Sequence, residues 1–314
     1  MPTYRERAEL SANRLERVQL EDGRFLYSVH PDRGIERRDN LVRQAGCAYA
    51  LAFASRREAA ARTLRFLSDN ARTSVSGDLF VPEPGRTRGK LGVVALAALA
   101  GLSEMEPTLR QAQRPDGSFR CWLGDGPLPR DGTKADYYPG QTLLALARGG
   151  EHDVVARSFD WSRGRFRSAP SPAFVGWQAL AWTAEAEHLP EAPAFVFELV
   201  DWLLQFQLTR RWRSREHDGG FSFGTAPGSS SLVYAEAVLA GLNTAHVAGD
   251  VKREARYAHA ARNALAFCAR LQLLEGPEDC CGGFTRSLTD AEMRCDNDQH
   301  AITAFLTAAE LLQS

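Results

Sequence analysis

"QAQRPDGSFRCW", Gln111–Trp122, ends a polar run, turns on Gly117 and anchors the turn with Phe119. Glycine tolerates the positive φ of a tight turn, and the ring two residues later gives that turn an apolar foot. The same device recurs along the chain. It reads "EDGRF" at Gly23–Phe25, "SGDLF" at Gly77–Phe80 and "PDGSF" at Gly117–Phe119. It returns as "SRGRF" at Gly164–Phe166, "DGGF" at Gly219–Phe221 and "CGGF" at Gly282–Phe284. Six similar units in 314 residues are the signature of a repeat architecture.

The flanks of each turn differ in kind. Before it comes an amphipathic helical pattern, such as "YRERAELSANRLERV" or "VKREARYAHAARNALAFCARL", with a charged face. After it comes a run that is apolar or small nearly all round, such as "KLGVVALAALAGL" or "QHAITAFLTAAELL". Helices of the second kind must be buried, and those of the first kind can cover them. Strict alternation predicts two concentric rings: an all-α (α/α)6 toroid of six outer–inner hairpins, one domain over residues 1–314. Inner-to-outer links are short, as in "SR" after Ala54, while outer-to-inner links are long and carry the glycine turns. The long loops then share one face with the starts of the inner helices, where function concentrates.

Formal net charge is −1, which offers no field to draw nucleic acid. No apolar run reaches the ~20 residues of a membrane span, and the charged start lacks a secretory pattern. Six scattered cysteines point to reduced thiols and a cytoplasmic setting.

Six inner-helix N-termini around an axis favour negative charge. Into that mouth the sequence places Asp39, Asn40, Arg43, Gln44, Arg88 and Lys90, then Asp136, Tyr137, Tyr138 and Gln141. Trp177, Gln178, Ser229–Ser231, Tyr234 and Glu236 follow, and then Cys295, Asp296, Asp298, Gln299 and His300. Asp39, Asp136, Ser171, Ser231 and Asp296 stand where N-caps belong. Asp39 with Arg43 and Asp296 with His300 are four apart and share helix faces. The crowd at Cys295–His300 has two chemical readings. Cys295, Asp296 and His300 could hold zinc; Asp296 or Asp298 beside His300 could move protons.

The turns in "QAQRPDGSFRCW", "EHDGGFSF" and "CGGF" resemble those of the α/α-toroid superfamily. It includes terpenoid cyclases and prenyltransferase β subunits, six-hairpin glycosidases and sugar epimerases, and lanthionine cyclases. In the prenyltransferase pattern His300 matches a zinc ligand, but "SSSLVYAE" stands where its Asp-x-Cys ligands belong. The chain carries neither a DxDD motif nor a Cys-His dipeptide. The carbohydrate branch implies acids at the inner-helix starts with aromatic platforms, which Asp39, Asp136, Asp296 and Asp298 with Tyr137, Tyr138 and Trp177 suit.

The leading expectation is acid/base chemistry on a polar, anionic, carbohydrate-like substrate by a hydrolase, lyase or epimerase. Asp136 works with Asp298 or Asp296, His300 assists, and Asp39 is a further candidate acid. Arg43, Arg88 and Lys90 hold a carboxylate or phosphate, and Gln141, Tyr234 and Glu236 complete the binding set. No cofactor is expected, zinc being the alternative. The partner is a saccharide or other small molecule, with self-association left open. The competing readings are a zinc- or cation-dependent terpenoid cyclase or prenyltransferase-like enzyme, and a binding scaffold using Arg163, Arg165 and Arg167.

Overall fold

Alanine-rich runs without a polar stripe form the inside of this protein, and the charged helices wrap them. The computed structural model describes residues 1–36, 38–209 and 215–312. Its first helices are α1 (Tyr4–Arg17), α2 (Leu41–Phe53), α3 (Arg57–Asp69), α4 (Leu91–Leu99), α5 (Glu106–Gln111) and α6 (Tyr138–Arg148). There follow α7 (His152–Ala156), α8 (Phe159–Ser168), α9 (Pro172–Ala184), α10 (Ala192–Leu203), α11 (Ser230–Val247), α12 (Val251–Ala269) and α13 (Cys295–Leu311). Helices α2, α4, α6, α9, α11 and α13 pack side by side in that order, and α13 returns to α2, closing the ring. Around them α3 backs α2, α5 backs α4, α7 backs α6, α10 backs α9 and α12 backs α11. The outer partner of α13 is α1. The architecture is an (α/α)6 toroid, as the alternating pattern predicts.

Small residues set the tightness of the inner ring. A side chain at Gly46 would collide with Gln299, one at Gly92 with Tyr138 and Gln141, and one at Gly140 with Trp177. The turn phenylalanines Phe25, Phe80, Phe119, Phe221 and Phe284 are all buried.

Five turn glycines have left-handed backbone, with φ from 82° at Gly117 to 93° at Gly282. A Cβ at Gly23, Gly117, Gly219 or Gly282 would strike backbone of the next outer layer, at Arg62, Arg157, Asn263 or Leu10. The turns therefore need glycine twice, for conformation and for close approach. A glutamine accompanies each of these four. The side-chain amides of Gln19, Gln113, Gln207 and Gln272 donate to the carbonyls of Ala59 (2.9 Å), Val154 (2.7 Å), Ala260 (2.9 Å) and Arg7 (3.0 Å). Each turn is thus hydrogen-bonded to the helix layer of the following repeat.

The fourth turn departs from expectation. Gly164 lies inside α8, so "SRGRF" is helix. Arg163, Arg165 and Arg167 pair with Asp160, Asp136 and Glu198. All three are therefore ion-paired rather than free.

Short strands join neighbouring loops above the ring: β1 (Ser28–His30), β2 (Gly34–Glu36), β3 (Arg72–Thr73), β4 (Leu79–Phe80), β5 (Arg88–Lys90), β6 (Trp122–Gly124) and β7 (Met293–Arg294). All pairs are antiparallel: β1 with both β2 and β7, β3 with β4, and β5 with β6. The β1–β7 pair links the first and last loops, and β5–β6 sets Lys90 opposite Trp122. No described helix is long and apolar enough to cross a membrane.

Candidate functional site

The ring order makes α2 and α9 diametrically opposite, so contacts between them cross the axis. Tyr49 of α2 meets Trp177 of α9 with centroids 6.3 Å apart. Arg148 of α6 donates to the Tyr49 hydroxyl at 3.2 Å. Trp177 also lies 5.8 Å from the His300 ring of α13. These side chains close the axis and form a floor beneath the loop face.

On that floor His300 Nδ1–H donates to Glu236 Oε2 at 2.6 Å, joining α13 to α11. The Thr303 hydroxyl donates to the other oxygen of Glu236. The His300 side chain is 15% exposed and that of Glu236 5%. Burial alone would lower the His300 pKa; the charge and hydrogen bond of Glu236, with Asp296 beyond, outweigh it, and the net shift is upward. Because the folded value exceeds the ordinary 6.5, the pair's stabilisation is fully present below that pH and is lost as pH rises through the folded value. The gap in melting temperature between wild type and Glu236→Gln should therefore be widest near about pH 6 and narrow towards alkaline pH. A gap that does not change with pH would contradict the protonated pair.

The rim above is cationic and aromatic. Asp296 is held by Arg43 and Arg294, each at 3.1 Å, and Arg43 lies over the Tyr27 ring at 4.6 Å. Farther round, Lys134, Arg88 and Lys90 lie 5.1, 5.5 and 5.9 Å from the Trp122 ring centre. Lys90 pairs with Glu83 at 2.5 Å. Arg43 Nη1, Arg88 Nε, Trp122 Nε1 and Gln141 Oε1 are buried atoms with no hydrogen-bond partner in the structure. Such atoms are uncommon in folded proteins. Burial pushes the Tyr234 hydroxyl up to about 12, with nearby Tyr137 adding to the effect; both phenols are neutral donors at neutral pH.

Several expected acids are tied up elsewhere. Asp298 is fully buried between α13 and α1, ion-paired with Arg14 and accepting from Ser11 Oγ (3.1 Å) and the Phe284 N–H (3.2 Å). Burial raises its carboxyl to about 6 against the pull of Arg14, so it is an anion at neutral pH. Gln44 performs the same task in α2: it accepts from the Phe25 N–H at 2.7 Å and donates to the Phe25 carbonyl at 3.1 Å. Asp298 is thus a latch for a turn. Asp136 pairs with Arg165 of α8, and Asp39 with Arg24 at 3.0 Å. Asp39 lines a hollow of about 450 Å³ with Tyr27, Arg38 and Gln44.

The expected i,i+4 pairs exchange partners: Arg43 binds Asp296 instead of Asp39, and His300 binds Glu236 instead of Asp296. Capping also shifts. Asn40, one past Asp39, caps α2 through the Val42 N–H at 3.1 Å. Tyr137, Ser229 and Arg294 take the N-cap positions of α6, α11 and α13, and Ser171 takes that of α9 as expected.

The zinc trio does not assemble: among the described residues, metal-donor atoms gather within 4.8 Å of one another only at His152, Glu185 and His188. The six cysteines are free thiols, and Cys47 Sγ–H donates to the Cys295 carbonyl at 3.4 Å. Trp122, Lys134, Arg294, Tyr49 and Thr303 join the site without having been singled out in the sequence. The signal for two of them was position: Trp122 follows the third turn and Arg294 directly precedes α13.

No known family matches the chain, and no curated protein matches it in sequence. Solved structures do. An unsaturated glucuronyl hydrolase specific for heparin is 10% identical, with TM-score 0.66 over 99% of both chains. This chain shares the α/α-toroid fold. A sugar epimerase from a ruminal bacterium (12% identical, TM-score 0.63) aligns over 98% of both chains. An α-mannanase from Bacteroides thetaiotaomicron (9%, TM-score 0.62) aligns over all of this chain and 98% of its own. At such identities the likeness is one of fold.

Proposed function

We propose that the chain is a carbohydrate-processing enzyme using acid/base chemistry at the mouth of the toroid. The observation that carries this reading is the Glu236–His300 hydrogen bond on a floor partly made by Trp177. Glu236 raises the His300 pKa, orients the ring and favours its charged form, as a proton-transfer imidazole requires. Asp296, on the same side of α13, is the second carboxylate. Proton donor and acceptor are the common need of glycoside hydrolysis, uronate elimination and epimerisation. The sugar-directed proteins that share the fold support a saccharide.

The finer reading is an anionic sugar. Arg43, Arg88 and Lys134 line the rim, and guanidinium and ammonium groups suit a carboxylate. Tyr137, 43% exposed, offers a ring face for the sugar. Neutral and uronate-containing oligosaccharides and free sugars should be incubated with the enzyme and followed by NMR. The expected result is turnover of acidic members, with Lys134→Ala raising KM for them more than for neutral ones. Turnover of none of these classes by the wild type would remove the assignment, and equal handling of neutral and acidic members would remove the anionic refinement.

A further inference from the structure

At the opposite end of the toroid, where the inner helices finish, His152, Glu185 and His188 come together. His152 is the first residue of α7, Glu185 directly follows α9, and His188 lies three residues farther on. One donor atom from each lies within 4.8 Å of the others. The Glu185 side chain is 1% exposed, and its oxygens accept from His152 Nδ1–H at 3.0 and 3.2 Å. Among the described residues this imidazole is the hydrogen-bond partner of that carboxylate. The His188 ring stacks on His152 with centroids 3.5 Å apart and planes 12° from parallel.

A buried carboxylate is costly without a countercharge. A divalent cation satisfies all three groups at once. Two imidazoles and one carboxylate suit a borderline first-row metal above all. Tetrahedral zinc with ligand distances of about 2.1 Å needs donors about 3.4 Å apart, and because an imidazole binds a metal in its own plane, the two stacked rings must turn apart to share one ion. The exposed His188 leaves a way in.

We propose that His152, Glu185 and His188 form a zinc-type cation site, separate from the mouth, that clasps the end of α9 to the start of α7. A cation there would bind the folded state alone and raise its stability by mass action.

The test uses the full chain stripped with chelator and titrated with zinc alone, followed by calorimetry and metal analysis. Cobalt(II) absorption reports the ligand set. One equivalent is expected, with a higher melting temperature on zinc addition. His188→Ala, at an exposed position, and His152→Gln should each weaken binding at least about tenfold, on the scale seen when even supporting groups of metal sites are removed. They should also abolish the melting shift, and His300→Asn at the mouth should leave both unchanged. Absence of stoichiometric binding to wild type, undiminished binding by His188→Ala, or loss of binding in His300→Asn would each overturn the proposal.

Discussion

Glu236→Gln is expected to lower kcat by about 10²–10⁴ with little change in KM, the range that a positioned proton-transfer group contributes. The substitution keeps the shape of the side chain and one acceptor oxygen. It removes the charge that raises the His300 pKa and offers an amide N–H₂ where Thr303 or His300 now donates. His300→Asn should fall into the same range. Because the two side chains act as one unit, the double variant should be little worse than either single change. Thr303→Val, which removes a donor but leaves the dyad intact, should cost less. Full activity in Glu236→Gln on a substrate that wild type turns over would remove the dyad from the mechanism.

The largest expected loss of stability lies elsewhere, at Asp298. Asp298→Asn leaves Arg14 buried, its side chain 1% exposed, without a counter-ion. Removing one partner of a buried pair typically costs about 3–5 kcal/mol. The turn at Phe284 also loses a charged acceptor. Asp39→Asn is the matched control: its partner Arg24 is 36% exposed, and such pairs contribute about 0–1 kcal/mol. Denaturant melts should show a clear loss for Asp298→Asn and almost none for Asp39→Asn. If instead Asp298→Asn folds as stably as wild type and is catalytically dead, the latch assignment is wrong and the acid role stands.

The contrast between Asp296 and Asp298 shows what sequence could and could not give. Two residues apart on a helix, they point about 200° apart. Only one can face the axis, and spacing from His300 favours Asp296, which lies on the same face. Pattern alone could not say that Asp298 would meet Arg14, 284 residues away. The Glu236–His300 bond likewise spans 64 residues and needed the ring order to appear. The toroid was legible because its requirements are local: glycine at the turn, phenylalanine after it, small residues in buried helices. "SRGRF" misled because glycine followed by phenylalanine is also compatible with helix. The four turns bonded to the next layer carry a glutamine upstream, at Gln19, Gln113, Gln207 and Gln272, and no glutamine stands in that place before Gly164. The rim cations around Trp122 were half visible, since Arg88 and Lys90 stood out but Lys134 needed the fold to bring it near.

Helix α1 backs α13, and the Gln272 side chain donates to the carbonyl of Arg7 in α1. The outer layer behind α13 is therefore supplied by a helix far upstream of it in sequence. Helix α1 is made before its main packing partner, so its seat is complete only once Cys295–Leu311 leaves the ribosome. Assembly of the circle must await the final helix, so the contacts that shut it are those of greatest sequence separation and belong among the slow ones to form.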